Sequence, residues 1–455
     1  MRTAARLTSL FIEFSCLRRK MSRMFARTLF VLVLLAVSLH AQSVSEELKK
    51  RTGHVLPDAG SESGSVFGMP PGIDLTDKIS SRDAVAVALW NNAALQADLA
   101  NLEVTRADLV EAGLFRNPSF SALLPVGPKP FEFLLAWPIE ELWQRKQRVK
   151  AARANVNAVA TGLVQNGLNL VRDARVAHTD LWLAEQRTET LRQSAELRER
   201  IAALTERRRN DGDATGFDVS LARTDAQSTR ELANRTAVDI EVVRSRLRRL
   251  IGMPETTRSF TAVIDDTDRP SLPALATLIE LAMSSRPDLR AAELDIETTA
   301  ARAKWQRSRV LAMVAPALSV KGVGTSGIRS GPGLNAEVPV LSRNQGQISR
   351  ADAEVLRAGR QYESVKDRVE QEVVESYEKV IQAQSSLAQL RERVLPAVNE
   401  SVRLIERAFQ NGDVSLLNVL EVTRQRYDIA LREIEARGSL QGAFAELERA
   451  IGRSL

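Results

Sequence analysis

Cysteine is all but missing from this sequence, and the single one, Cys16, falls within the first 41 residues. That excludes a disulfide framework, a cysteine nucleophile and a lipid-anchor cysteine beyond residue 41. Histidine is nearly as scarce: His40, His54 and His178 lie too far apart for metal-ligand spacing. No P-loop is present, and the glycines of residues 322–327 (GVGTSG) lead into no helix. The carboxylate pairs Glu140-Glu141 and Asp265-Asp266 read as solvated surface, and His178 as a packed or lumen-facing helix residue. No enzyme site, cofactor site or metal site is therefore expected.

Long apolar runs are also few. The one that stands out, residues 29–39 (LFVLVLLAVSL), follows Arg23 and Arg27 and precedes His40-Ala41. It is too short to span a membrane comfortably and reads as a secretory signal, residues 1–41, with an uncleaved anchor as the alternative. Met21 or Met24 would serve equally well as its start. The leader holds seven basic side chains against Glu13 alone, which accounts for the chain's formal charge of +6. The rest is electroneutral, so nothing electrostatic points to nucleic acid. With no later apolar run, residence in a membrane would require a closed β-barrel.

What is present is a repeat. Residues 207–219 read RRRNDGDATGFDV and residues 407–419 read RAFQNGDVSLLNV, with Gly212, Asp213 and Val219 matching Gly412, Asp413 and Val419. The register runs on to Ile251-Gly252 and Ile451-Gly452. Each copy is an Asx-Gly turn between long helical patterns, the tip of a helical hairpin. The Arg207-Arg208-Arg209 run beside the first tip is either a helix C-terminal charge or a partner contact.

Residues 42–78 form an extended lead-in. Residues 79–252 form a first repeat of helix, β-hairpin (119–137), long helix, tip (210–218) and return helix. Residues 253–273 are a Pro- and acid-rich connector. Residues 274–455 form a second repeat with hairpin 317–339 and tip 410–418. Leu289 stands in the place of Leu95. No proline occurs between Pro138 and Pro254, so residues 143–210 read as one helix. Its twin, residues 347–410, is interrupted at Pro396. Val369, Val373, Ser376, Val380, Ala383, Leu387, Leu390 and Val394 step at coiled-coil spacing, as do Ala222, Ala226, Thr229, Ala233, Thr236, Ile240, Val243, Leu247 and Leu250. Seams so rich in Ala, Ser and Thr bury little area, so such helices need neighbours on more than one side. In the second hairpin Leu334, Ala336 and Val338 alternate with Asn335 and Glu337, the pattern of a membrane barrel strand, although two soluble hairpins would read alike.

In this plan the sequence resembles the TolC-like outer-membrane factor family over residues 75–455. The resemblance is carried by RNPSF (116–120), SRPDLRAAE (285–293), WPIEELWQRKQRVKAA, VPVLSRNQGQISRADAE, and the pairs Asp218-Val219 and Asn418-Val419 six residues after a tip glycine. It implies a mainly α fold: a tandem-repeat α-barrel of long helices plus a transmembrane β-barrel of four strands per chain, twelve in a homotrimer. It also implies an outer-membrane location extending into the periplasm, and an exit-duct role in a tripartite efflux pump. The implied partners are a periplasmic adaptor (membrane fusion protein), an inner-membrane RND or ABC transporter, and outer-membrane lipid. By the same resemblance Gly212, Asp213, Asp218, Gly412 and Asp413 would dock the adaptor. Asn418 and Glu421 would occupy the positions of an acidic pair at the periplasmic constriction, and Asn418 departs from that pattern by lacking charge. Alternatives are a type I secretion channel or a periplasmic structural coiled coil.

Overall fold

A computed structural model of the chain describes residues 44–56, 67–73, 77–124, 131–254, 259–264, 272–310, 314–322, 327–337 and 339–455. The leader 1–41 with Cys16, and Asp265-Asp266, lie outside the described residues. The chain opens with helix α1 (residues 44–52) and strand β1 (Lys78–Ser80). The first repeat follows as α2 (Ser81–Asn91), α3 (Ala93–Gly113), β2 (Ser119–Leu123), β3 (Glu132–Ala136), α4 (Glu141–Asn210) and α5 (Gly216–Leu250). After β4 (Thr261–Val263) come α6 (Leu275–Ser285), α7 (Pro287–Ser308), β5 (Val314–Gly322), β6 (Ile328–Ala336), α8 (Gln345–Gln389), α9 (Leu395–Asn411) and α10 (Leu416–Ile451).

The helices are long because nothing stops them. Helix α4 runs 70 residues, about 105 Å at the α-helical rise. Its counterpart breaks once, into a π-helical turn, Leu390–Val394, before Pro396 at the start of α9. Proline cannot donate to the carbonyl four residues back and its ring crowds that turn, so the ladder widens locally. The apolar stripes face inward: Val369, Val373, Ser376 and Val380 are buried, as are Ala222, Ala226, Thr229 and Ala233. Helix α4 lies between α3 and α5 on one side and α7 and α10 on the other, while α8 packs on α6, α7 and α10. Within one chain, α3 and α5 form one flank of the array and α8 the other.

All four ends at the tips and return helices close with the same turn. Asp213, Met253, Asp413 and Arg453 each donate an amide to the carbonyl five residues back, at 2.8–3.1 Å. The residue before each is a glycine in the left-handed region, with φ from +68° to +87°, the C-terminal cap that glycine adopts without Cβ strain. The return helices then meet a break in the inbound helix. Between α2 and α3, Asn92 (φ −64°, ψ 117°) donates its side-chain amide to Leu250 O at 2.8 Å. Between α6 and α7, Arg286 (φ −66°, ψ 125°) donates to Ala450 O at 3.2 Å. Equivalent backbones thus carry an uncharged latch in one repeat and a charged one in the other. Arg286 is almost wholly buried and also binds Asp288 and Glu372. Burial pulls its pKa down, but the two carboxylates together hold it above the ordinary value.

Around the middle, β1 pairs in parallel with β4. His178 of α4, fully buried, places Nε2 2.9 Å from Ile79 O, and Glu185 accepts the Ala262 amide at 3.0 Å. Residues 42–78, expected to be extended, contain a helix instead. Val44 and Leu48 of α1 are buried one turn apart, and Leu48 sits where a Cβ on Gly167 of α4 would be, its Cδ2 2.6 Å away. Apolar burial on α4 thus stabilises a helix that the local sequence alone leaves weak.

Strands β2, β3, β5 and β6 form one antiparallel sheet in that order. The second hairpin extends from Val314, three residues before the expected start at 317, because β5 and β6 pair over nine residues each. Its register sorts the side chains by face. One face carries Phe120, Ala122, Phe133, Leu135, Pro316, Leu318, Val320, Ile328, Pro332 and Leu334, with Ser330 its one polar side chain; the other is mixed, with Ser119, Ser121, Glu132, Ser319, Lys321, Arg329 and Asn335 among Leu123, Leu134, Ala136, Ala315 and Ala317. The apolar face is largely uncovered: Phe120, Leu318, Ile328 and Leu334 are all exposed. Below the sheet, Glu140 and Glu141 are each 1% exposed, which corrects their reading as solvated surface. Glu140 accepts the Val314 amide at 3.1 Å, and Glu141 pairs with Arg116 and Arg148. No helix of the described residues is long and apolar enough to cross a membrane.

Candidate functional site

The two tips lie side by side in one chain. Ile201, Ala202, Ala222 and Ala226 of the first hairpin form a single apolar cluster with Phe409, Leu416 and Val419 of the second. Arg208 locks them together: it donates to Phe409 O at 3.2 Å, stacks its guanidinium 4.8 Å above the Phe409 ring, and reaches Asp213 O. The middle member of the Arg207–Arg209 run is therefore committed within the chain.

The helices leaving the tips start differently. At the first, Thr215 Oγ1 accepts the Asp218 amide at 3.1 Å, and Asp218 Oδ2 accepts the Thr215 amide at 3.0 Å and hydroxyl at 2.8 Å. This is a reciprocal capping box, readable in Thr215-Gly-Phe-Asp218. The Thr215 amide, and next its hydroxyl, hold the Asp218 carboxyl below its usual range. At the second tip Ser415 Oγ accepts the Asn418 amide at a looser 3.4 Å. Asp218, expected at a docking surface, thus spends its carboxylate on helix initiation. Gly212, Asp213, Gly412, Asp413, Asn418 and Glu421 are exposed around it.

Asn418 and Glu421 stand three residues apart on one face of α10. Glu421 faces Arg424 at 3.4 Å, both about two-thirds exposed, so that solvent-screened pair holds the carboxylate only weakly. Two residues the sequence reading passed over are Phe217 and Leu417, matched in register and exposed at 74% and 66%. Their signal was available: each is a large apolar side chain two residues after the helix cap, Thr215 or Ser415, in the first turn. Among the described residues no three His, Cys, Asp or Glu side chains converge as metal ligands would.

The sequence model of the family described as "Outer membrane efflux protein" matches residues 278–453, most of the second repeat. The cobalt-zinc-cadmium resistance protein CzcC of Cupriavidus metallidurans is 23% identical over 377 residues, covering 81% of this chain and 89% of that protein. Among solved structures, CusC, described with its transmembrane channel formation, matches with TM-score 0.68 at 16% identity, over 82% of this chain and 91% of that one. The outer membrane protein VceC of Vibrio cholerae matches with TM-score 0.68 at 16% identity, over 82% and 96%. A duplicated long-helix array carrying a small antiparallel sheet is the fold these channel structures share with the chain. In its second repeat the chain carries the sequence pattern of the outer-membrane efflux proteins, and over most of its length it is similar to them.

Proposed function

We propose that three copies of the chain close into a passive exit duct, coupled by an adaptor to an inner-membrane RND or ABC transporter. The observation that carries this is the four-stranded sheet. It has one apolar face, an opposite face that holds all its charged side chains, and edges β2 and β6 that pair with no other strand among the described residues. Unpaired edges are costly in lipid and disappear on closure. Joining β6 of one copy to β2 of the next three times gives twelve strands. Beneath it, the flank α3–α5 of one copy meets α8 of the next, which supplies the second set of neighbours that small-residue seams need.

The tips form the periplasmic end, with Gly212, Asp213, Gly412 and Asp413 at the adaptor contact. Asn418 and Glu421 ring the constriction, where three carboxylates favour cations at close range. The duct itself makes and breaks no bonds. Conductance of purified protein in planar bilayers tests the whole reading: discrete channel openings support it, and a mature chain that stays monomeric and dissolved without detergent overturns it. Glu421→Ala is expected to lower cation selectivity in the same recordings; unchanged selectivity places the constriction elsewhere. The likeness to CzcC, a cobalt-zinc-cadmium resistance protein, makes tolerance of cobalt, zinc and cadmium the first phenotype to score in a deletion strain.

A further inference from the structure

A cavity of about 510 Å³ lies where the sheet meets the helical array, on the first turns of α4 beside Phe115. Its apolar wall is Phe115, Leu142 and Val149, and its polar rim is cationic. Glu141, the acid at its edge, is already neutralised by Arg116 and Arg148. Arg145 is committed too, donating to Gly113 O at 2.6 Å with its guanidinium 4.7 Å from the Phe115 ring. That leaves Lys146, Lys150 and Arg153, spaced i, i+4, i+7 on one face of α4. None of the three is ion-paired with an acid among the described residues.

Three further observations say what this cavity faces. Trp137, 58% exposed, continues the apolar face of β3 only five residues before Leu142. Helix α4 has chain neighbours on both flanks, so a second copy docking on α3–α5 or on α8 leaves the cavity open. Leu142 is itself 72% exposed, so the cavity continues from the apolar side of the sheet, at the level where that sheet ends.

We propose that this cavity seats an anionic phospholipid of the inner leaflet of the outer membrane. The phosphate lies against Lys146, Lys150 and Arg153, and an acyl chain lies over Leu142 and Phe115. Apolar and aromatic side chains at a membrane boundary with cations just beyond are the arrangement that recognises acidic headgroups. The inference rests on the sheet spanning the membrane.

The test is native mass spectrometry of the full chain, purified in detergent, delipidated and titrated with phosphatidylglycerol or phosphatidylcholine. Phosphatidylglycerol should bind each chain at least tenfold more tightly. The triple variant Lys146→Gln, Lys150→Gln, Arg153→Gln should weaken it by one to two decades, on the order expected for three interfacial cations. Arg207→Gln with Arg209→Gln, at the far tip, should leave it unchanged. Equal binding of both lipids, undiminished binding by the triple variant, or displacement by inorganic phosphate alone would overturn the proposal. Should the triple variant fail to assemble, Lys150→Glu alone decides by the same readout. A trimer without lipid preference sinks only this inference; a dissolved monomer sinks the duct reading beneath it.

Discussion

At the residue scale, the two repeats separate into places that tolerate change and places that do not. Arg286 holds two carboxylates and a helix-terminal carbonyl from a buried position, so Arg286→Met removes all three contacts, leaving Asp288 with Arg368 at 3.8 Å and Glu372 with Arg449 at 3.2 Å. Losing charge-assisted hydrogen bonds of this kind should cost about 2–3 kcal/mol. Asn92→Ala, which removes two neutral hydrogen bonds at the equivalent point, the one to Leu250 O and the α3 cap from the Leu95 amide, should cost about 1–2 kcal/mol. Denaturant titration of both variants in detergent compares them. Asp218 gives a pH test. Its folded pKa is lowered, so its contribution is complete above the ordinary carboxylate range and is lost as pH falls through the lowered value. Rate-corrected hydrogen exchange across residues 213–219 should therefore show the tip loosening only below the ordinary carboxylate range, and Asp218→Asn should flatten that dependence.

At the element scale, the sheet makes the sharpest prediction. Leu318 and Ser319 are neighbours on opposite faces. Leu318→Arg places a charge on the lipid side and should cost about 2–4 kcal/mol near the midplane, whereas Ser319→Arg should fold normally and alter conductance. Folding into lipid vesicles, followed by gel shift, measures the first, and bilayer recordings measure the second. The long helices were legible because their stripes and their freedom from proline are local properties, and Pro396 marked the one interruption. Helix α1 was not legible, since its reason for being helical is the missing side chain of Gly167 on another element. The burial of Glu140 and Glu141 was hidden for the same kind of reason. Their partners Arg116, Arg148 and the Val314 amide come from separate stretches of chain, and no window of sequence contains them together.

At the scale of the whole molecule, the absence of cysteine after residue 41 makes assembly testable. A chain carrying one cysteine on β2 at Ser121 and one on β6, at Arg329 or Gly331 in turn, should give disulfide-linked dimers and trimers in at least one pairing. Monomer alone across the panel, with the protein membrane-inserted, would show that these edges do not meet. The tandem plan and the tips were visible from the repeat itself. The role of Arg208 as the clamp between tips was not, because it depends on Phe409 arriving from the second repeat.

The unlike latches at Asn92 and Arg286 carry one more consequence. A tube assembled threefold from this chain has six such joints, alternating around its wall. Dissolved salt and acidity act on ionic contacts and pass over neutral ones, so only every second joint can sense the fluid outside. Any loosening provoked by that fluid would begin at three staves of the wall and leave the three between them in place.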